Sequence, residues 1–155
     1  ATETPNDFYQ YDSATFFAYR KFIERTYPLV HQKLTRTIID SFHYIYEWKG
    51  TDTSKLPIVL MAHYDVVPVE ASAVKLWHAK PYGGEVKEKY IWGRGVLDDK
   101  SSMISILEAT EAQLKAGFEP KQSIFLCFGG DEESNGRGAI AMVKYFQSKI
   151  SILKQ

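Results

Sequence analysis

The chain has 155 residues, enough for one domain with a sizeable core, and its 45% hydrophobic and 25% charged residues are those of an ordinary globular protein. Lys+Arg and Asp+Glu both number 19, so no basic surplus directs it to nucleic acid or an anionic lipid surface. No apolar run reaches the ~18 residues of a membrane span, and the single cysteine, Cys127, excludes an internal disulfide.

Residues 13–25 have helical period, with Phe16, Phe17, Phe22 and Ile23 among polar residues and Ser13 as the expected N-cap. A short helix is expected over 29–35 after Pro28. Residues 42–48 (Phe-His-Tyr-Ile-Tyr-Glu-Trp) read as an aromatic strand closed by Lys49-Gly50. Residues 58–62 are apolar without alternation, which predicts a strand covered on both faces. Residues 71–85, with Trp77, Pro81 and Gly83-Gly84, have loop composition, and 86–92 form a short strand-like piece before the turn Gly93-Arg94-Gly95. Residues 101–115 predict a helix with Met103, Leu107, Thr110 and Leu114 on one face, Ile104 and Ile106 widening it, and Gly117 as its stop. Residues 123–128 are a second doubly apolar strand containing Cys127, a small core side chain. The next helix, over 136–149, has Ile140, Val143, Tyr145 and Phe146 as candidate core residues. Strands separated by helices define an α/β layered fold. The first residue is Ala1, which leaves room for a leader or tag already removed, and the compartment stays open.

Three clusters stand after apolar or turn segments: His63-Tyr-Asp65, Asp98-Asp99 after Gly93-Arg-Gly95, and Asp131-Glu132-Glu133 after Gly129-Gly130. Alone, each has a plain reading: a hydrogen-bonded pair, a helix cap, a solvated turn. Ligands collect at the carboxyl ends of strands in open α/β sheets, so clusters distant in sequence can converge there. One imidazole with several carboxylates suits Zn²⁺, and Co²⁺ or Mn²⁺ as well. His63 and Asp65 are two apart, so in extended chain they point the same way, and the carboxylate can fix the imidazole tautomer. Asp98 precedes a helix start, where free N–H groups favour an anion. Glu132 and Glu133 are adjacent, so one can bind metal while the other holds an attacking water as general base. His31, His43 and His78 lack such surroundings and are assigned no role.

Met61-Ala-His-Tyr-Asp-Val-Val-Pro-Val69, Ile91-Trp-Gly-Arg-Gly-Val-Leu-Asp-Asp-Lys100 and Phe128-Gly-Gly-Asp-Glu-Glu133 closely resemble the dinuclear zinc aminoacylase and carboxypeptidase family. That family includes glutamate carboxypeptidase, acetylornithine deacetylase and succinyl-diaminopimelate desuccinylase. Tyr46-Glu-Trp-Lys-Gly50, Trp77 with Pro81-Tyr-Gly83, and Leu107-Glu-Ala-Thr-Glu111 are most similar to its carboxypeptidase S branch. The resemblance implies a zinc-exopeptidase-like three-layer α/β/α fold with a mostly parallel mixed sheet. It implies metal ligands His63, Asp98 and Glu133, with Asp98 bridging two zinc ions. Asp65 would orient His63, Glu132 would be the general base, and the Asp98–Asp99 peptide would be cis. The implied reaction is hydrolysis of the amide bond of a small peptide or N-acyl amino acid.

By the same resemblance, residues 1–155 correspond to the N-terminal portion of a metallopeptidase catalytic domain. A further acidic ligand is expected shortly past Gln155, and a last histidine far downstream, beyond a lid domain. The expectation for these residues alone is therefore a partial or empty metal site, little hydrolysis, and self-association through an exposed sheet edge. The alternative reading is a non-catalytic scaffold or oligomerising module that retains the motif residues.

Overall fold

In the computed structural model, which describes residues 1–4 and 12–153, side chains of the central strands alternate between two helical layers. The elements in order are α1 (Ser13–Thr26), α2 (Pro28–Lys33), β1 (Thr35–Ile39), β2 (His43–Trp48), β3 (Ile58–His63), β4 (Glu85–Lys87), β5 (Tyr90–Trp92), α3 (Ser101–Lys115), β6 (Ile124–Gly129) and α4 (Arg137–Leu153). The main sheet runs β1-β2-β6-β3, and β4 and β5 form a separate hairpin.

Period-two alternation assigns each strand residue to a layer. Tyr44 and Tyr46 of β2 and Leu126 and Phe128 of β6 face one side, where they pack with Phe16, Ile23, Tyr27, Val30, Met103 and Leu107 from α1, α2 and α3. Ile45 and Cys127 face the other side and meet Met142 of α4, with Phe125, Tyr145 and Phe146 around them. The result is an α/β fold in three layers around a mixed sheet. Among the described strands, β3 and β6 are parallel, whereas β1–β2 and β2–β6 are antiparallel, so the parallel share is smaller than expected. The β1–β2 pair is antiparallel because a tight turn at Asp40 and Ser41, both in the left-handed region, joins the two strands; Thr35–Ile39 offered no apolar run by which to foresee β1.

Local chemistry fixes the helix ends. Asp12, one residue before the expected Ser13, is the N-cap of α1 and accepts from the Thr15 amide at 3.3 Å. Glu111 of α3 accepts from the amides of Leu29 (3.0 Å) and Val30 (2.9 Å), placing a carboxylate on the free N–H groups that open α2. Gly117, at φ +74°, ends α3 as its position suggested. Residues 86–92 form a hairpin rather than one strand, turning at Glu88 and Lys89, both with positive φ.

Two expectations about burial are corrected. The strand over 58–62 is an edge: β3 pairs only with β6 among the described residues, and Met61 is 61% exposed. An apolar run without alternation does not distinguish a strand inside a sheet from one at its margin. In α4 Gly138 and Met142 are buried, while Ile140 and Val143 are more than half exposed; the inward face is carried by Met142 with Tyr145 and Phe146 packed beside it.

Leu107, fully buried between the helical layer and the sheet, makes a clean test of this core. Leu107→Ala is expected to lower unfolding free energy by about 2–5 kcal/mol in urea titrations, whereas Leu97→Ala, at a site 87% exposed, should stay within about 0.5 kcal/mol.

Candidate metal centre

Parallel pairing of β3 and β6 sets His63 beside Gly129 in register, so both strands deliver their carboxyl ends to the same edge of the sheet. Alternation then divides the residues that follow. Tyr64 points into the core, fully buried, stacked on Tyr44 with ring centroids 5.5 Å apart and donating its hydroxyl to the Phe42 carbonyl at 2.6 Å. His63 and Asp65 therefore both point the other way.

Asp65 is fully buried. Its Oδ1 accepts from the Glu132 amide at 3.2 Å, and Oδ2 accepts from the Glu133 amide at 3.0 Å and the Thr4 hydroxyl at 2.9 Å. Oδ1 also faces His63 Nδ1 at 3.3 Å, although the alignment falls short of a hydrogen bond. The other ring nitrogen, Nε2, lies 3.0 Å from Asp98 Oδ1 and 3.8 Å from Glu132 Oε2. His63, Asp98 and Glu133 each offer one donor atom, all within 4.8 Å of one another. A nitrogen and two carboxylate oxygens converging in this way suit a divalent cation of zinc type.

The Asp98 segment breaks from helical geometry to reach this point. Residues Val96–Lys100 form a wide helical turn in which Asp98 (φ −118°, ψ 96°) and Asp99 (φ −135°, ψ 22°) are non-helical, and the peptide between them is cis. Asp98 thus projects to the cluster rather than capping α3. Asp99 turns instead to the strand and accepts from the His63 amide at 3.3 Å. Gly95 starts this turn at φ +81°, where a side chain would be strained and would also overlap Val66.

Asp131, the third acidic residue after β6, stands apart from the cluster. It is 2% exposed, and its carboxylate accepts from the Gly138 amide at 3.1 and 3.2 Å, fixing the loop to the start of α4. Glu132 and Glu133 are left facing outward.

Electrostatics follow from this crowding. Burial by itself lowers the His63 imidazole, but the Asp65, Asp98 and Glu132 carboxylates outweigh it, and its pKa rises above the ordinary value. Burial and then the Asp98 charge hold the Glu133 carboxyl above its usual range. Beneath the cluster, burial depresses the Lys100 ammonium to about 8 against the pull of Asp65.

Sequence reasoning passed over two supports. His43 is buried, accepts from the Gly130 amide at 3.1 Å through Nδ1, and lies against Gly138, where any Cβ would overlap its ring. Its pKa is lowered, by burial first. It reaches the site because β2 is antiparallel to β6, so the start of one meets the end of the other; that pairing left no mark in the sequence. Lys100 donates to the Thr2 hydroxyl at 2.8 Å and to the Tyr64 carbonyl. Its place in the Asp-Asp-Lys run was the available signal.

The three-layer fold and the converging donors define an α/β protein with a candidate metal site at the carboxyl ends of its parallel strands. The sequence model of peptidase family M20/M25/M40 matches residues 59–153, and the chain belongs to that family. It is 42% identical over 144 residues to the probable carboxypeptidase S-like 2 of Dictyostelium discoideum, covering 92% of this chain and 27% of that protein. It is 35% identical over 132 residues to the N-fatty-acyl-amino acid synthase/hydrolase PM20D1 of Xenopus tropicalis, covering 83% of this chain and 25% of that protein. The crystal structure of an M20 family metallo-carboxypeptidase from Sulfolobus solfataricus shares the fold, with a TM-score of 0.59, 22% identity and coverage of 77% of this chain and 26% of that one. The resemblance is thus to the carboxypeptidase S and PM20D1-like branch, and the chain spans about a quarter of the length of the curated relatives it matches.

The raised His63 pKa sets a pH dependence. Without metal, His63 is stabilised by its carboxylates when protonated, so its contribution to stability is complete below the ordinary imidazole value of about 6.5. That contribution is lost as pH rises through the elevated folded value. Urea titrations from about pH 5.5 to about pH 8.5, which span the ordinary imidazole value and the region above it, should show the loss, and His63→Gln should abolish it.

Proposed function

We propose that this chain contributes to the metal centre of a zinc-dependent hydrolase that cleaves the amide bond of peptides or N-acyl amino acids. The observation that carries this reading is the convergence of the His63, Asp98 and Glu133 donor atoms within 4.8 Å, with the Glu132 carboxylate at the same ring nitrogen. The names of two relatives, a probable carboxypeptidase and an N-fatty-acyl-amino acid synthase/hydrolase, support this substrate class.

In this reading His63, Asp98 and Glu133 would be the residues that hold zinc. Bound zinc supplies a Lewis acid for the scissile carbonyl and makes water more acidic. Asp65 keeps the His63 ring in the tautomer that leaves Nε2 free to ligate. Glu132, whose carboxylate is 61% exposed and faces the His63 ring, accepts the proton of the attacking water and returns it to the leaving amine. Residues 1–155 then form the N-terminal portion of the catalytic domain, and the ligands that complete the site come from elsewhere in a protein of the relatives' length.

The test is a pair of measurements on the 155-residue chain and on a form extended to the relatives' length: zinc titration by calorimetry and hydrolysis of N-acyl amino acids and short peptides. The short chain should bind zinc weakly and turn over little. The extended form should hydrolyse, and Glu132→Gln should reduce its rate by about 10²-fold or more with zinc still bound. An extended form that holds zinc yet leaves every such substrate intact sinks the proposal.

One observation favours self-association as a second reading. Ile58, Val59, Leu60 and Met61 form an exposed apolar edge without a charge among them, a template for pairing with another strand. Sedimentation should then show concentration-dependent dimers that Val59→Lys disperses; a monomer at all concentrations excludes it.

A further inference from the structure

The N-terminal residues lie along the segment that leaves β3. Glu3 forms a parallel bridge with Val66. The Val66 amide donates to the Thr2 carbonyl at 2.9 Å, and the Thr4 amide donates to the Val66 carbonyl at 3.1 Å. Thr2 and Thr4 are 2% and 3% exposed, so neither hydroxyl has water as a substitute partner. Thr2 donates to the Tyr64 carbonyl, and Lys100, from the start of α3, donates to both groups. The strap is thereby fastened to the body of the fold. Thr4 donates to Asp65 Oδ2 at 2.9 Å across 61 residues of sequence.

Two of the three donors to Asp65 are the adjacent amides of Glu132 and Glu133. These belong to one loop, so carboxylate and loop could shift together without breaking either bond. The Thr4 hydroxyl comes from a different element, anchored through Thr2 and Lys100, and fixes the carboxylate against the sheet. Oδ2 then carries two donors, and Oδ1, with one, is the oxygen turned to His63 Nδ1.

We propose that Thr4 is a positioning residue of the metal centre: its hydroxyl sets the plane of the Asp65 carboxylate and, through it, the orientation in which His63 presents Nε2 to Asp98 and Glu133. The inference rests on the zinc-centre reading above for its consequence, but its structural half stands in the metal-free chain. Threonine is required for its hydroxyl, since valine has the same shape and would leave Oδ2 with one donor fewer in a site without water.

The experiment reads the ¹⁵N resonances of the His63 ring in the metal-free chain, the affinity for Zn²⁺ by competition with a chromophoric chelator, and the thermal midpoint, in Thr4→Val, Thr4→Ala and Thr4→Ser. In the wild type the ring should give one sharp pair of nitrogen resonances, with a proton on Nε2 where the Asp98 carboxylate accepts it. Thr4→Val and Thr4→Ala should shift or broaden that pair and weaken zinc by about tenfold, the lower end of the loss for residues that orient a ligand, while Thr4→Ser restores both readouts. Asp65→Ala sets the largest loss. A lowered midpoint with ring resonances and zinc affinity unchanged assigns Thr4 to stability alone and overturns the proposal. A form extended to the relatives' length that binds no zinc defeats the zinc-centre reading instead, and the ring resonances of the metal-free chain still decide the role of Thr4.

Discussion

A fully buried carboxylate is tolerated only when its oxygens are occupied, and Asp65 organises this end of the molecule by that requirement. Its partners come from three places: the loop after β6, the N-terminal strap and the His63 ring two residues back. The strap has a further anchor in Lys100 and the loop further anchors in His43 and the Gly138 amide, but Asp65 is the group that all three share. Satisfying one desolvated charge therefore docks them to one another, and the outward-facing Glu132 and Glu133 are placed by their backbone amides rather than by their side chains.

The sheet makes that arrangement reachable. Parallel β3 and β6 bring two strand ends level, and antiparallel β2 brings a strand start to the same edge. Every position there has a defined side. Tyr64 and Phe128 go to the aromatic layer under α1 and α3, Cys127 and Met142 to the layer under α4, and His63 and Asp65 to the edge between. A small apolar cavity of about 240 Å³, lined by Met61, Cys127, Ala139 and Met142, borders the cluster on the α4 side. The buried Asp65 is thus backed by hydrocarbon and acts on the imidazole with little screening, whereas Asp98 and Glu132, 75% and 61% exposed, act through solvent.

Most of the fold was legible where period and composition agree. The helix over 101–115, the strands at 42–48 and 123–128, and the short helix after Pro28 follow from side-chain spacing and turn chemistry. The local clusters were legible too, because His63, Asp98, Glu132 and Glu133 each follow a segment end. Long-range pairing was hidden. The β-branched Thr35, Thr37, Ile38 and Ile39 favour a strand but say nothing of its partner, nothing in the apolar run of β3 signals an edge, and His43 resembled any aromatic-strand histidine until β2 was found antiparallel to β6. Thr4 is the extreme case, since a hydroxyl near a chain end carries no sign of a partner 61 residues away.

The parallel register of β3 and β6 also bears on how the centre comes into being. A parallel pair cannot form as a local hairpin; it must wait for the crossover, here the β4–β5 hairpin and α3, to be laid against the sheet. His63 precedes that crossover, Asp98 lies within it and Glu133 follows it. The donor set therefore assembles late, when loop closure is already complete, and does not exist in the unfolded chain. A cation that recognises it selects molecules whose crossover is finished, so metal supply would act as a pull on folding as well as a requirement for chemistry.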